Sequence, residues 1–469
     1  MFTPIKDKNH YIIKKTKDMN TDVILYLSEN LMKGVEQDAV QQIVNVASLP
    51  GIKDRAYAMP DMHSGYGFPI GGVAGFDLEK GIVSPGGLGF DINCGIRLVK
   101  TNSTKEEFEK LFSKKEFEKL FRSIPTGVGS ENKERITKEE LLDMLSKGID
   151  YSIKNGEATK KDKDCTEDYG KLKTSAEFLS QKAISRGLKQ SGTLGSGNHF
   201  IELQYIDKIY NKELAKKWGL KENQITFMIH SGSRGLGHQI ASDHIEIFLK
   251  NYPKYNLKLL DKDLVSIPIN SQEGEKYLDS MRAAANYAYV NRQVMTFKVR
   301  EALKELGINT ELVYDVAHNI AKEEEYKING KKEKLLVHRK GATRAFSAGN
   351  KVLPEKYINT GQPVIIPGSM GTCSYVLVGD KAEEKSLGSV SHGAGRALSR
   401  SAAKKQFDVK DVIKDLSKIN VSVLSATNAS IVEEAPLAYK DVNEVVKVLE
   451  LNELAKPVAR MKPLYTIKG

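Results

Sequence analysis

The chain has 469 residues, 40% of them hydrophobic and 28% charged, with a net charge of +11. This is the composition of a soluble globular protein, and its three cysteines (Cys94, Cys165 and Cys373) are too few and too odd in number for a disulfide framework, which favours a reducing cytoplasm. The N-terminus lacks the apolar stretch of a signal peptide and no run of about 18 apolar residues predicts a membrane span, while the positive charge suits a polyanionic partner.

In chain order, residues 1–50 predict a short strand at Tyr11–Lys15 and a helix at about 35–48. Between 51 and 100 the text turns glycine-rich (AYAMPDMHSGYGFPIGGVAGFD, GIVSPGGLGFDINCGIRLVK), which predicts turns and close backbone approach. Residues 101–190 are rich in lysine and glutamate. They contain a local duplication, EEFEKLF then KEFEKLF, and read as a mostly helical surface insertion; the stretch 154–170 reads as a mobile loop with Cys165 exposed on it. QITFMIH (224–230) predicts a strand with His230 at its end, and 274–305 a long helix. Further strands are predicted at 312–316, 334–338, 363–366 and 374–379, followed by a compact α/β tail. No Pro/Ser-rich linker divides the chain, so a single intertwined domain is expected.

Four of the nine histidines and one cysteine lie in short, mostly glycine-studded motifs: DINCG, GSGNHF, HSGSRG, AHN and SHGAGR. A lone histidine after a strand is more often a satisfied core residue than a ligand. Brought together, however, Asp91, Cys94, His199, His230 and His318 suffice for a two-metal site with the Cys94 sulfur as a bridge, and such donors suit zinc, cobalt or manganese. The Pro367–Gly368–Ser369–Met370 turn between two strands resembles an anion nest, though an ordinary hairpin has the same text. In SHGAGRALSR, His392 precedes two glycines and a predicted helix carrying Arg396 and Arg400. A neutral histidine beside that helix N-terminus is placed to attack phosphorus. Arg339, Lys340 and Arg344 in HRKGATRAF form a basic cluster that suits a polynucleotide backbone, although such clusters are often just solvated. His63 is read as near or supporting the site, His238 and His244 as helical and structural.

The ordered motifs PDMHSGYGFPIGGVAGFD, DINCGIRLV, GTLGSGNHFIE, HSGSRGLGHQ, AAANYAYVNRQ, AHNIA, HRKGATRAF, IPGSMGTCSYVL, SHGAGRALSR and KPLYTIKG span residues 51 to 469 and closely resemble the RtcB family of RNA-splicing ligases. The resemblance implies an α+β fold: one RtcB-type catalytic domain over 1–469, of mixed sheets flanked by helices, with the helical insertion at about 101–190. It implies two manganese ions, one on Asp91, Cys94 and His199 and the other on Cys94, His230 and His318, and His392 as the guanylylated nucleophile. It places Asn198, Glu202, Asn319, Pro367, Gly368, Ser369, Met370, Ser374, Gly393, Ala394, Gly395 and Lys468 against the guanylate. The implied activity is GTP-dependent joining of an RNA 3′-phosphate or 2′,3′-cyclic phosphate to a 5′-hydroxyl through a histidine–GMP adduct, in tRNA splicing or RNA repair. The implied partners are such RNA ends, GTP and an archease-type activator, in the cytoplasm and without a membrane. A two-metal phosphoesterase acting on RNA ends is the alternative, but it leaves the HGAGR segment and Lys468 without a role.

Overall fold

Two large, mainly antiparallel sheets meet at the site. The structure is a computed structural model that describes residues 3–133 and 135–469. One sheet runs Ile5–Asp7, His10–Ile13, Val23–Leu25, Ile52–His63, Ile70–Asp77, Lys331–Lys340, Asn319–Ile328. The other runs Thr310–Ala317, Gly95–Thr104, Gln224–Ser231, Phe200–Ile209, Ala455–Lys468, Ser374–Gly379, Pro363–Ile366, with Ser422–Ser425 joining Ala455–Lys468 in parallel. The chain passes from the second sheet to the first at His318, the single residue between Thr310–Ala317 and Asn319–Ile328. The α+β class expected from the sequence is what the chain adopts, and the strands at 363–366 and 374–379 fall where they were predicted.

Three elements differ from expectation. The glycine-rich stretch 51–100 contains the strands Ile52–His63, Ile70–Asp77 and Gly95–Thr104 as well as turns. Several of its glycines do serve close approach: a Cβ on Gly86 would stand 2.1 Å from the Asp263 carbonyl oxygen. The lysine- and glutamate-rich region is helical, and the duplicated heptapeptides form Lys105–Leu111 and Lys114–Ser123, each opened by a capping box (Thr104 with Glu107, Ser113 with Glu116). It is not a surface appendage, because Phe108, Phe117, Leu120, Leu141 and Leu145 join the main core. The stretch 154–170 is ordered: Lys160–Asp164 is a helix, Cys165 is buried, and its carbonyl accepts from Asp315 N at 3.0 Å. A lysine-rich text hid this, since the apolar and backbone partners lie more than a hundred residues away.

The helix Gln272–Lys304 runs through the interior, and its middle is buried all round. Buried carboxamides and guanidinium groups on it need partners. Asn286 shows the pattern, donating to the carbonyls of Leu145 (2.7 Å) and Leu172 (2.8 Å) and accepting from Leu172 N (2.7 Å). A small separate core (Met370, Val412, Leu416, Val421, Ile431, Ala435) backs the 367–370 turn. Among the described residues no helix is long and apolar enough to cross a membrane.

Candidate active site

The second sheet delivers the metal-type donors. Asp91 and Cys94 sit in a turn closed by Cys94 N donating to Asp91 O at 3.0 Å, with Asn93 at φ 55°. Asparagine tolerates that left-handed conformation better than most residues. His199 immediately precedes Phe200–Ile209, and His230 lies near the end of Gln224–Ser231, paired across the ladder with Phe200. Cys94 O accepts from His318 N at 2.9 Å, so four chain segments converge. Cys94, His230 and His318 form one group and Asp91, Cys94 and His199 another, with the donor atoms within 4.8 Å of one another and Cys94 common to both.

Donor chemistry fits a cation in each group. His230 Nδ1 donates to Asn198 O (3.0 Å) and His199 Nδ1 to Leu194 O (2.8 Å), which turns both Nε2 atoms inward. Burial holds His230 and His318 well below the usual imidazole range, so both rings are neutral. The His230 Nε2 lone pair nevertheless faces Cys94 Sγ at 3.2 Å and His318 Nε2 at 3.2 Å. Burial and then the Asp91 charge push the Cys94 thiol well up, so ionising it requires a positive charge beside it. Asp91 Oδ1 is buried without a hydrogen-bond partner, while His199 Nε2 lies 2.9 Å from Oδ2.

A two-stranded ladder outside both large sheets delivers His392, and the first sheet delivers its partner Asp61. His392 follows the strand Ser389–Ser391, which pairs with Ala342–Arg344. Its Nδ1 lies 2.7 Å from Asp61 Oδ2, and the same oxygen accepts from the backbone N–H of His392 (3.0 Å) and Gly393 (3.3 Å). Asp61 is fully buried. Burial opposes its charge, but the hydrogen bond and charge of His392 still bring its carboxyl below the ordinary value. With Nδ1 committed to Asp61, Nε2 is the ring nitrogen left for a ligand. The ring lies 4.9 Å, centroid to centroid, from that of His318. Asp61, within the PDMH text, is a partner of the site that sequence reading missed.

His392 and the metal-type donors Asp91, Cys94, His230 and His318 line one cavity of about 250 Å³, together with Asn198, Glu202, Asn319, the 367–370 turn, the 393–395 segment and Lys468. Tyr439, Glu434 and His63 line it too; Glu434 Oε2 is 3.3 Å from Lys468 Nζ. Ser374 stands behind the wall, accepting from Gly368 N at 3.1 Å. The turn is therefore not an open nest, because Ser374 caps Gly368 and Thr372 Oγ1 accepts from Ser369 N at 2.8 Å. No helix follows the glycines directly: residues 392–398 are irregular, Ala397 N and Leu398 N both donate to Ala438 O, and the helix Arg400–Gln406 starts at the Ser399 cap. Gly395, at φ 74°, abuts Asp61, where a Cβ would stand 2.3 Å from the carbonyl oxygen. Gly395→Ala is accordingly expected to displace Asp61 and slow any reaction at His392 on the order of a hundredfold, measured as initial rate against protein that melts like wild type.

The basic cluster is corrected. Arg339 is buried and bidentate on Glu324 (2.7 and 2.8 Å), and Arg344 is buried against Glu167 and Asp168 (3.1 Å each). Lys340 is buried, donates to the carbonyls of Tyr66 and Gly86, and is lowered by burial to about 7. None of the three offers a free cation to a polynucleotide. A groove of about 640 Å³ adjoins the cavity, shares Asp91, Asn198 and Arg400 with it and adds Arg186, Arg234, His238 and Phe90. Phe90 and His238 stack there at 4.7 Å. Gly195, at φ 91°, leaves room for the Arg234 guanidinium, which lies 2.1 Å from where a Cβ would stand.

Known proteins place this chain among relatives. A family profile described as "tRNA-splicing ligase RtcB" matches residues 42–469. A protein of Archaeoglobus fulgidus named tRNA-splicing ligase RtcB is 48% identical over 459 residues, covering 96% of this chain and 95% of its own. Proteins of the same name from Thermococcus kodakarensis and Methanococcus maripaludis are 46% and 45% identical, covering 99% and 100% of this chain and 99% of each of their own. With the profile covering nearly the whole chain and relatives at this identity end to end, the chain belongs to the RtcB family of tRNA-splicing ligases.

Proposed function

We propose that this protein is a GTP-dependent RNA ligase that joins a 3′-phosphate or 2′,3′-cyclic phosphate end to a 5′-hydroxyl end, in tRNA splicing or RNA repair. The observation that carries the reading is His392, held by Asp61 at Nδ1 and facing the same cavity as the Cys94-centred donors. Asp91, Cys94 and His199 would hold one manganese ion and Cys94, His230 and His318 the other. When bound, the two ions neutralise charge developing on phosphoryl oxygens and polarise them.

The residues of the chain do the rest. His392 Nε2 attacks the α-phosphorus of GTP and expels pyrophosphate, forming a histidine–GMP bond whose ring charge the Asp61 carboxylate stabilises. The guanylate passes to the RNA 3′-phosphate, a cyclic end first being opened by water, and the 5′-hydroxyl then displaces GMP. Glu202 suits the guanine N1–H and N2–H₂ edge as an acceptor, with Lys468 nearby. Asn319, whose amide bridges Asp91 O (3.1 Å) and Gly341 N (2.8 Å), holds the two halves of the cavity wall together. The groove of Arg186, Arg234 and Arg400 suits the RNA strand. An archease-type activator and cytoplasmic operation complete the reading.

Burial raises Glu202 to about 7 against the opposing hydrogen bonds of Thr466 and Gln204 and the charge of Lys468. Below that pH the carboxyl is protonated and loses an acceptor. GTP binding is thus expected to strengthen as pH rises from 6 to 8, and to lose that dependence in Glu202→Gln; titration calorimetry at each pH checks both.

The deciding experiment incubates the protein with α-labelled GTP and Mn²⁺, then adds an RNA pair bearing 3′-phosphate and 5′-hydroxyl ends. An acid-labile label on the protein that is consumed as the RNA is joined supports the ligase. Processing of the RNA ends without protein labelling supports the two-metal phosphoesterase instead.

A further inference from the structure

The motif AAANYAYVNRQ has no role in the chemistry above, yet its Asn291 and Arg292 touch the segments that carry the metal-type ligands. Arg292 is fully buried on the helix Gln272–Lys304. Its Nε and Nη2 grip Asp315 at 2.9 and 2.7 Å, three residues before His318. Its Nη1 donates to two carbonyls, Asn93 O at 2.8 Å and Ser231 O at 3.0 Å. Asn93 precedes Cys94, and Ser231 follows His230. Asn291 completes the set. Its Oδ1 accepts from Gly192 N (2.8 Å) and Thr193 N (3.2 Å), on the loop that leads to His199. Its Nδ2 donates to Thr193 O (3.2 Å), Ser231 Oγ (3.2 Å) and Gly232 O (3.1 Å).

These partners belong to four chain segments with no sequence proximity, and each lies beside a ligand-bearing backbone. A guanidinium is a rigid planar fork, so its donors fix the relative placement of what they bind, which a flexible ammonium does not. Gly95 supplies the space: a Cβ there would stand 3.1 Å from Arg292 Cζ. We propose that Asn291 and Arg292 are positioning residues that set the geometry of the Cys94-centred metal site from behind, through backbone carbonyls and Asp315 rather than through the ligand side chains.

The proposal rests on the two-metal reading, and a control separates the two. Arg97 is also fully buried and donates to the same Asp315 carboxylate at 2.7 Å, but its other partners are Gln293 and Thr296. Arg292→Lys and Arg97→Lys each remove a buried guanidinium from Asp315; only the first loosens Asn93 and Ser231. The probe is Co²⁺, titrated into apoprotein below its melting temperature and followed by its thiolate-to-cobalt absorption band. Arg292→Lys is expected to weaken Co²⁺ binding about 10- to 100-fold and to shift the band. Arg97→Lys is expected to melt lower yet bind Co²⁺ as wild type does. Folded Arg292→Lys protein with unchanged affinity and band overturns the proposal, as does an equal loss in Arg97→Lys. If Arg292→Lys does not fold, Asn291→Ser takes its place with the same expected direction; should neither fold, the pair determines folding and the positioning role is refuted. Wild-type protein that takes up no Co²⁺ counts against the two-metal reading itself.

Discussion

His392→Ala protein incubated with α-labelled GTP and Mn²⁺ is expected to carry no label, a loss of at least about 10³-fold, while its affinity for RNA changes little. The reason is geometric. His392 Nδ1 is held by Asp61 at 2.7 Å, which leaves Nε2 for phosphorus, whereas the Nε2 atoms of His230 and His318 face each other at 3.2 Å within the Cys94 group. No other side chain inherits the role. Asp61→Asn refines the test. It retains an oxygen for the two backbone N–H groups and for Nδ1, but removes the charge that stabilises the ring once phosphorus is bound. Labelling should then fall roughly 10²- to 10⁴-fold with GTP affinity unchanged. Persistent labelling of His392→Ala would remove the nucleophile assignment outright.

Cys94→Ala is expected to lose both metal ions, whereas His199→Ala and His318→Ala each lose chiefly one. Cys94 is the donor common to both groups, so its removal leaves two ligands in each; a single histidine change leaves one group whole. Because burial and Asp91 push the thiol up, loading must release its proton, and metal affinity should rise with pH until the thiolate forms. Elemental analysis of purified variants after Mn²⁺ loading reads the outcome. Equal metal content in Cys94→Ala and His318→Ala would mean that the sulfur does not bridge.

Much of the site was legible in the text. Asp91, Cys94, His199 and His392 stand in glycine-containing turns near strand ends, His230 near the end of a strand and His318 between two strands, positions where imidazole, thiol and carboxylate are costly unless they are used. The strands at 363–366 and 374–379 carry their own apolar signal. Other features were not legible. The cluster Arg339, Lys340 and Arg344 reads identically whether solvated or paired. Its carboxylates, Glu167, Asp168 and Glu324, include two from the region that looked like a mobile loop. The predicted helix after the HGAGR glycines failed for a similar reason, since Ala438, forty residues away, captures the amides of Ala397 and Leu398.

By itself the sequence determined which side chains are candidates for chemistry, because residue type and glycine context are local properties. Only the tertiary structure decided which of them meet. It brought Asp61 to His392 across 331 residues, withdrew Arg339 and Arg344 into buried ion pairs and Lys340 onto backbone carbonyls, opened the groove of Arg186, Arg234 and Arg400, and set Asn291 and Arg292 together behind four separate ligand segments. A buried charge takes whatever partner the fold brings within hydrogen-bond reach, and that partner is not written in its neighbours along the chain.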